Sequence, residues 1–260
     1  MADIYWGQNA PAGKVRITHP NRDALLGEIS DRLAKRQGFA LATLNLDHCV
    51  KLRQNPDFKA AYLHHSHVVA DGNPIVWLSR LAGRPVDLVP GSELITPLAD
   101  LAAKHGVPVA LFGSTPDTLS ATATALEAAH PGLEIVAQIA PPFGFDPTGE
   151  DAGELIAKLG ASGAGLCFLA LGAPKQEILA VRGAEALPAC GFVSIGAGLD
   201  FIAGTQHRAP RIVQRLALEW LWRLAGNPGR LARRYGACFA ILPELAWTAR
   251  KDRPPQQNRA

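Results

Sequence analysis

Two clusters of polar residues follow short apolar runs and carry side chains suited to proton transfer. Thr43 and Asn45 lie at the end of the run F-A-L-A-T-L, and Asp71 and Gly72 follow the run V-V-A. An aspartate at the mouth of a cleft can act as the general base that takes a proton from an attacking hydroxyl. An aspartate between a strand and a helix can equally cap that helix. The residues alone leave both roles open for Asp71.

A third apolar run, Leu166–Leu171, ends at Gly172 and is followed by A-P-K-Q-E. The pattern predicts a buried strand, a turn, and a helix with proline in its first turn, where the missing N–H costs nothing. The free N–H groups of such a helix suit an anionic ligand, although a helix can also begin there without binding anything. Gln176 could hydrogen-bond a sugar or a phosphate, Glu177 could stabilise the helix N-terminus, and Lys175 could be a ligand or a surface charge.

Downstream lie a glycine-rich stretch and a group of arginines. Gly196, Gly198 and Asp200 belong to the stretch I-G-A-G-L-D-F, which follows a last apolar run. Four arginines beyond it are candidates for a diphosphate clamp, and each could instead be a surface charge or a partner of Glu219. They are Arg208, Arg211, Arg215 and Arg223.

These motifs occur in an order that is typical of one family. They are T-L-N at Thr43, D-G at Asp71, G-A-P-K-Q-E at Gly172, G-A-G-L-D-F-I-A-G at Gly196, R-A-P at Arg208 and E-W-L-W-R at Glu219. With them the sequence resembles the bacterial WecG/TagA/CpsF glycosyltransferases over about residues 43–235. That family transfers a sugar from a UDP-sugar to a lipid-diphosphate-linked acceptor.

The resemblance implies an inverting, metal-independent transferase in which Asp71 is the base and Thr43 and Asn45 complete the catalytic group. It implies a UDP-sugar donor carrying N-acetylmannosamine, its uronic acid or glucose, and a polyprenyl-diphosphate-sugar acceptor in surface or exopolysaccharide synthesis. The nucleotide is expected in a crevice between the loop at Gly113 and the turn at Gly172. The substrate-binding residues implied are Gly72, Gly113, Ser114, Gly172, Lys175, Gln176, Glu177, Gly196, Gly198, Asp200, Arg208, Arg211, Arg215 and Arg223.

One loop departs from the family pattern. An arginine usually precedes a G-x-D-L element, whereas this chain has D-L-V-P-G-S-E-L, with Leu88 near the arginine position and Glu93 in place of the aspartate. Arg84 lies close by in sequence and could substitute. The contacts of this loop therefore cannot be carried over from the family.

Neither a metal nor a cofactor is expected. The chain has no Asp-x-Asp pair, the carboxylate arrangement with which many UDP-sugar enzymes hold a divalent cation. His64, His65 and His67 are close in sequence, but no cysteine or carboxylate accompanies them at a recognised ligand spacing. We interpret these histidines as surface or interface residues.

The elements that position these residues alternate between strand and helix. Apolar runs and helical patterns follow one another from the first 20 residues to about residue 204, which predicts an α/β domain with a mostly parallel sheet and helices on both faces, Rossmann-like in type. Residues 205–252 read as helices alone, at 210–225, 229–235 and 237–249 with a break at Pro243. We expect residues 253–260 to be a disordered tail.

Charge and composition limit the kinds of partner that this protein can have. The formal net charge of +3 divides into +8 for residues 205–260 and −5 for residues 1–204. A basic C-terminal part favours a lipid diphosphate, a membrane surface or nucleic acid as a partner. Its aromatic residues, among them Trp222, Phe239 and Trp247, could enter a membrane interface or pack as a cap on the core.

The cell compartment follows from the cysteines and the first residues. Four widely spaced cysteines and a start without an apolar segment indicate core thiols in the cytoplasm. Together with the basic aromatic helices, this predicts a protein on the inner face of the cell membrane. A homo-oligomer is compatible with the sequence.

Two other classes of function are weighed against the transferase. A nicotinamide-dependent oxidoreductase fits the α/β pattern, yet the G-A-G-L-D-F stretch follows the last strand and lacks the third glycine of the dinucleotide fingerprint. A non-catalytic membrane or nucleic-acid binding module fits the basic end. Because RNA-binding aromatics, zinc spacings and basic repeats are absent, no nucleic-acid partner is expected.

Overall fold

The computed structural model describes residues 4–6, 13–206, 221–222, 224 and 228–254 of the 260-residue chain. The strands are β1 (Ile4–Trp6), β2 (Val15–Ile17), β3 (Phe39–Leu44), β4 (His67–Ala70), β5 (Val109–Gly113), β6 (Ile135–Ile139), β7 (Leu166–Ala170) and β8 (Gly191–Ser194). The helices are α1 (Arg22–Ala34), α2 (Leu46–Gln54), α3 (Pro56–His64), α4 (Asn73–Leu81), α5 (Gly91–His105), α6 (Pro116–Ala129), α7 (Glu150–Ala161), α8 (Lys175–Ala186), α9 (Gly198–Ile202) and α10 (Pro228–Lys251).

The main sheet has six parallel strands in the order β4-β3-β8-β7-β5-β6, and β1 and β2 form a separate parallel pair. Every residue of β3, β5 and β8 is buried. Strands covered on both faces need no alternation of polar side chains, which explains the continuous apolar runs in the sequence. The expected α/β fold is confirmed.

Successive residues of the central strands pack into different hydrophobic cores. In β5, Val109 and Leu111 pack with α1, α5 and α6, whereas Ala110 and Phe112 pack with α7 and α8. A further core beneath β3 and β4 contains residues of α2, α3 and α4 together with Val15. Helices therefore cover both faces of the sheet, and each apolar strand run is buried by packing against them.

The order of the strands creates a switch point between β5 and β7. The chain leaves β5 toward the neighbouring edge strand β6, and it leaves β7 in the opposite direction toward β8. In open α/β sheets, ligands bind at such a point, outside the carboxyl ends of the strands. The crevice beyond Gly113 and Ala170 is therefore the first place to look for a ligand.

The C-terminal helix differs from the predicted one. Residues 228–251 form a single helix, and the break expected at Pro243 is absent. Proline removes one backbone donor, but the helix contacts α2 and α4, and its Leu245 and Ala249 are buried in the core that also contains Ile4. Tertiary packing on both sides of the proline holds the helix together.

The four cysteines behave as the sequence predicts. Cys49, Cys167, Cys190 and Cys238 are buried free thiols. Burial raises the pKa of Cys49 and Cys190 to about 12 each, so these thiols stay protonated. They serve as small core side chains.

Candidate active site

The proposed base and its neighbours lie at the ends of two adjacent strands. Leu44 of β3 pairs with Ala70 of β4, and Asn45 and Asp71 each come one residue later. The backbone N–H of Asp71 donates to the carbonyl of Leu44 at 2.8 Å. Both side chains are half-buried. The fold thus brings together at one edge residues that are 26 positions apart in the chain.

Asn45 and Gly72 shape this edge in different ways. The Asn45 side chain caps α2 by accepting a hydrogen bond from the backbone N–H of His48 at 3.0 Å. Gly72 has a φ of +97° and is the N-cap residue of α4. The alternative in which Asp71 caps the next helix is therefore wrong, because that position belongs to a glycine without a side chain.

Thr43 is buried against the start of α5, a contact that the sequence did not indicate. A Cβ atom on Gly91 would lie 3.2 Å from Oγ1 of Thr43 and 3.1 Å from the carbonyl oxygen of Ser194. Glycine allows this approach without displacing its neighbours, and it brings the N-terminus of a 15-residue helix to the ends of β3 and β8. The first N–H groups and the helix dipole at Gly91 favour negative charge there. In the sequence, only the P-G-S-E-L element marked the position of Gly91, and it did not indicate the contact with Thr43.

The structure of the loop at Leu88 explains only part of the departure from the family pattern. The side chain of Leu88 is 41% exposed. The guanidinium of Arg84 lies over the ring of Tyr5, 4.9 Å from its centroid. This contact assigns Arg84 a packing role against β1, so its substitution for the missing family arginine remains a hypothesis.

At the switch point, Gly113 and Ser114 are held against β7. Gly113 has a φ of +114°, and a Cβ atom there would lie 2.4 Å from the carbonyl oxygen of Ala170. Ser114 also has a positive φ, of +52°, and its hydroxyl donates to Asp200 at 2.9 Å. The other carboxylate oxygen of Asp200 accepts from Gln206 at 3.3 Å. Asp200 thus links the β5 loop to α9, and the two predicted site residues Ser114 and Asp200 meet directly.

Gln176 joins two predicted motifs. Its side chain is 3% exposed; its amide nitrogen donates to Glu177 at 2.8 Å, and its amide oxygen accepts from the backbone N–H of Gly196 at 3.1 Å. The sequence suggested a contact with a sugar or a phosphate. In the structure both ends of the amide bind protein groups, so Gln176 holds the Gly196 loop beside α8.

Glu177 is a fully buried carboxyl in the first turn of α8. Burial raises the pKa of Glu177 to about 7, even though the hydrogen bond from Gln176 acts in the opposite direction. Its Oε2 atom and the hydroxyl of Ser194 are buried without a partner among the described residues. Lys175, which precedes this pair, is half-buried, and Gly172 is exposed with a φ of +72°.

A cation-rich contact connects α10 to the same region. Asp47 of α2 accepts from Lys51 at 2.6 Å and from Arg234 of α10 at 2.8 Å. Burial alone would raise the pKa of Asp47, but these two cations hold it below its usual value. Lys51 also donates to the carbonyl of Ala173 at 3.2 Å. The C-terminal helix is therefore tied to the turn before α8.

The predicted diphosphate clamp cannot be placed. Arg208, Arg211, Arg215 and Arg223, with Glu219, lie outside the residues that the structure describes. Gly198 is described and is buried at the start of α9.

The histidine prediction was wrong for two of three residues. His64 is exposed, as expected, but His65 is 5% and His67 0% exposed. Burial lowers the pKa of both buried imidazoles to about 4, so they are neutral at pH 7. The reason is topological: His67 begins β4, and His65 is held at the end of α3 by a hydrogen bond to the carbonyl of Ala61 at 2.8 Å.

The chain is similar to known proteins of one family. The chain matches the model of the glycosyl transferase WecG/TagA/CpsF family over residues 11–259. It is also similar to an N-acetylglucosaminyldiphosphoundecaprenol N-acetyl-beta-D-mannosaminyltransferase from Bacillus spizizenii (strain ATCC 23059 / NRRL B-14472 / W23). That relative is 29% identical over 202 residues, which are 77% of this chain and 76% of the relative.

The parallel α/β sheet has a switch point and polar residues at the carboxyl ends of its strands, the arrangement of a ligand-binding α/β protein. The chain belongs to the WecG/TagA/CpsF family, and it is a glycosyltransferase. The predicted family is confirmed, and it replaces the two other classes weighed from the sequence. Across the described part of the chain, no helix has both the length and the apolar character needed to cross a bilayer.

Proposed function

We propose that this enzyme transfers N-acetylmannosamine from UDP to N-acetylglucosamine carried on a polyprenyl diphosphate, with inversion at the anomeric carbon. The name of the Bacillus relative supports this choice among the three sugars that the sequence left open. The observation that carries the proposal is the placement of Asp71 beside Asn45, one residue beyond the last paired residues of β3 and β4. A half-buried carboxylate there can reach a hydroxyl that enters the crevice.

The order of strands supports a row of subsites. Asp71 follows β4, Gly196 follows β8, Gly172 follows β7 and Gly113 is the last residue of β5. Neighbouring strands are about 4.8 Å apart, so Asp71 and Gly113 are separated by about 19 Å along the edge. In our proposal the nucleotide lies at the switch point by Gly113, and the donor sugar extends toward Asp71. The acceptor then approaches from the β4 side.

In the proposed reaction Asp71 accepts the proton of the acceptor hydroxyl while that oxygen attacks the anomeric carbon. The new glycosidic bond forms on the face opposite the departing UDP, and the bond to the UDP oxygen breaks with its electron pair. Charge grows on the diphosphate as it leaves. Backbone N–H groups at the start of α5, beside Thr43, are oriented to stabilise that charge. The four arginines of residues 208–223 would supply the remaining positive charge.

Location at the membrane is part of the proposal. The acceptor carries a lipid chain, so the active site must work close to a bilayer surface, and we place the enzyme in the cytoplasm on the inner face of the membrane. Phe239 and Trp247 of α10 are 52% and 63% exposed, and Lys251 lies 5.1 Å from the Trp247 ring centroid. Exposed aromatics among basic residues suit an interface with anionic lipid.

A transfer assay with matched donors tests the sugar. We expect UDP-N-acetylmannosamine to be the productive donor with a lipid-diphosphate N-acetylglucosamine acceptor, and UDP-glucose and UDP-N-acetylmannosaminuronic acid to be slower. NMR of the product should show a β linkage formed from an α-linked donor. A higher kcat/KM for another donor would reject the sugar, and retained α configuration would reject inversion.

Sedimentation with liposomes tests the membrane surface. The double variant Phe239→Ala, Trp247→Ala should lower partitioning onto anionic vesicles about 10-fold, since two exposed apolar side chains no longer enter the interface. Phe143→Ala serves as the control, because Phe143 is fully exposed in the loop after β6. Equal partitioning of the double variant and the control would remove α10 as the membrane contact.

A further inference from the structure

A cluster of two histidines and a glutamate lies away from the strand-end crevice. Nε2 of His19 is 2.8 Å from Oε2 of Glu28, and Nε2 of His67 is 3.0 Å from Oε1 of the same residue. The two imidazole rings are stacked, with centroids 5.2 Å apart. One ligand atom from each of the three side chains lies within 4.8 Å of the other two.

The hydroxyl of Thr18 is the hydrogen-bond partner of Nδ1 of His19. It accepts from the N–H of Val68 at 2.9 Å and lies 3.1 Å from the carbonyl oxygen of Val68 and 2.8 Å from Nδ1 of His19. A hydroxyl has one proton, which it can give either to Nδ1 or to that carbonyl oxygen. When the carbonyl oxygen takes it, the hydroxyl accepts from Nδ1–H and Nε2 of His19 presents a lone pair.

Ser66 stands in the same relation to His67. Its hydroxyl accepts from the N–H of Ala40 at 3.0 Å and lies 3.1 Å from the carbonyl oxygen of Ala40 and 2.8 Å from Nδ1 of His67. Each histidine therefore has a hydroxyl partner at Nδ1 that can either donate to the ring or accept from it.

Nε2 of each ring faces the Glu28 carboxylate. A carboxylate only accepts, so without a cation these contacts at 2.8 and 3.0 Å are hydrogen bonds from Nε2–H. With a metal ion in place, the hydrogen of each neutral imidazole would lie on Nδ1 and be donated to the neighbouring hydroxyl, and Nε2 would be free to bind the ion.

We propose that His19, Glu28 and His67 bind a divalent transition-metal ion, with Zn²⁺ as the best match. Two imidazole nitrogens and one carboxylate are a common set of zinc ligands, with bonds of about 2.0–2.1 Å. Such bonds place tetrahedral ligand atoms about 3.4 Å apart, so the two histidine–carboxylate contacts would open by about 0.4–0.6 Å and the three ligand atoms would converge from within 4.8 Å. The hydroxyls of Thr18 and Ser66 are the outer hydrogen-bond partners that metal-binding histidines require.

The remaining contacts complete the site. Arg32 donates to Oε1 of Glu28 at 3.1 Å, which fixes the carboxylate and leaves Oε2 for the metal. The Glu28 side chain is 43% exposed, so water can supply a fourth ligand. His67 begins β4 and Asp71 follows its end, about 13 Å apart at the rise of a strand. The metal would therefore clamp α1 and the segment before it to β4, without touching the reaction.

Zinc titration of the full chain tests the proposal. After treatment with a chelator, the protein should bind one Zn²⁺ in competition with a chromophoric chelator, and Co²⁺ should give the visible absorption of a tetrahedral site. Glu28→Gln and His19→Ala should each weaken binding at least about 100-fold, the upper end of what loss of an outer partner alone costs. At a Zn²⁺ concentration 100 times Kd, Tm should rise by about 5 °C in the wild type.

Two controls separate this site from general histidine binding. His64→Ala removes an exposed histidine, and His130→Ala removes one that pairs with Asp100 at 2.6 Å. Both variants should keep the wild-type affinity for Zn²⁺. Equal binding by wild type and Glu28→Gln would overturn the proposal. So would NMR of the Zn²⁺-loaded protein at pH 7 that still shows hydrogen on Nε2 of His19 and His67.

Discussion

The two ends of strand β4 carry opposite kinds of chemistry. At its carboxyl end Asp71 is half-buried beside a glycine with positive φ, and the N-terminus of α5 approaches through Gly91. At its amino end His67 is fully buried and bonded to Ser66 and Glu28. The carboxyl end leaves polar groups where a substrate can reach them, whereas the amino end locks them into a network. In our proposal, β4 therefore separates a reactive edge, at Asp71, from a bracing edge, at His67.

The largest expected effect comes from breaking the reactive edge. Asp71→Asn should lower turnover by roughly 10²- to 10⁴-fold, because the base no longer accepts the proton in the transition state, while the Kd for UDP stays within about twofold. Steady-state kinetics and UDP titration measure the two quantities. Asp57→Asn, at an exposed site in the first turn of α3, is the matched control. Near-normal turnover of Asp71→Asn would contradict the assignment of the base.

The next effect concerns the buried carboxyl of α8. The pKa of Glu177 is raised to about 7 in the folded state from 4.5, so its destabilising effect is absent below pH 4.5 and complete above pH 7. Relative to Glu177→Gln, the free energy of unfolding of the wild type should fall by about 3 kcal/mol across this window. Urea unfolding at pH 4.5 and 8 measures it. The control Glu185→Gln, exposed in the same helix, should show no such dependence; a flat difference for Glu177→Gln would mean that the carboxyl is not buried.

The smallest effect tests the bracing edge. Ser66→Ala leaves the N–H and C=O of Ala40 without their side-chain partner and should cost roughly 1–3 kcal/mol of unfolding free energy, with turnover unchanged. Ser120→Ala, at an exposed position on α6, controls for the substitution. Lost turnover in a folded Ser66→Ala enzyme would break the separation between the two ends of β4.

Sequence reasoning was strongest where one pattern had one physical meaning. The apolar runs predicted the parallel sheet because strands buried on both faces have no other composition. The motifs at Gly172 and Gly196 were seen as separate features, and the hydrogen bond from Gly196 to Gln176 that joins them was not predictable. The roles of the individual site residues remain predictions.

Sequence reasoning failed where packing between residues distant in the chain determines the local structure. A proline normally breaks a helix, but Leu245 and Ala249 are buried against residues near the start of the chain, and the helix continues through Pro243. Adjacent histidines usually lie on the surface, but His67 is covered by α1 and the segment before it. In both cases the deciding neighbour is far away in sequence.

The sequence by itself determined the fold class and the family, and it predicted the edge of the sheet at which we propose the chemistry, because these follow from local periodicity and from motifs at fixed spacing. Only the tertiary structure decided that Gly91 brings a helix N-terminus against Thr43, that Gln176 holds the Gly196 loop, and that Glu28 stands between two histidines. Those contacts join residues 9 to 48 positions apart. Their distances are set by how helices pack on the sheet, which no local pattern encodes.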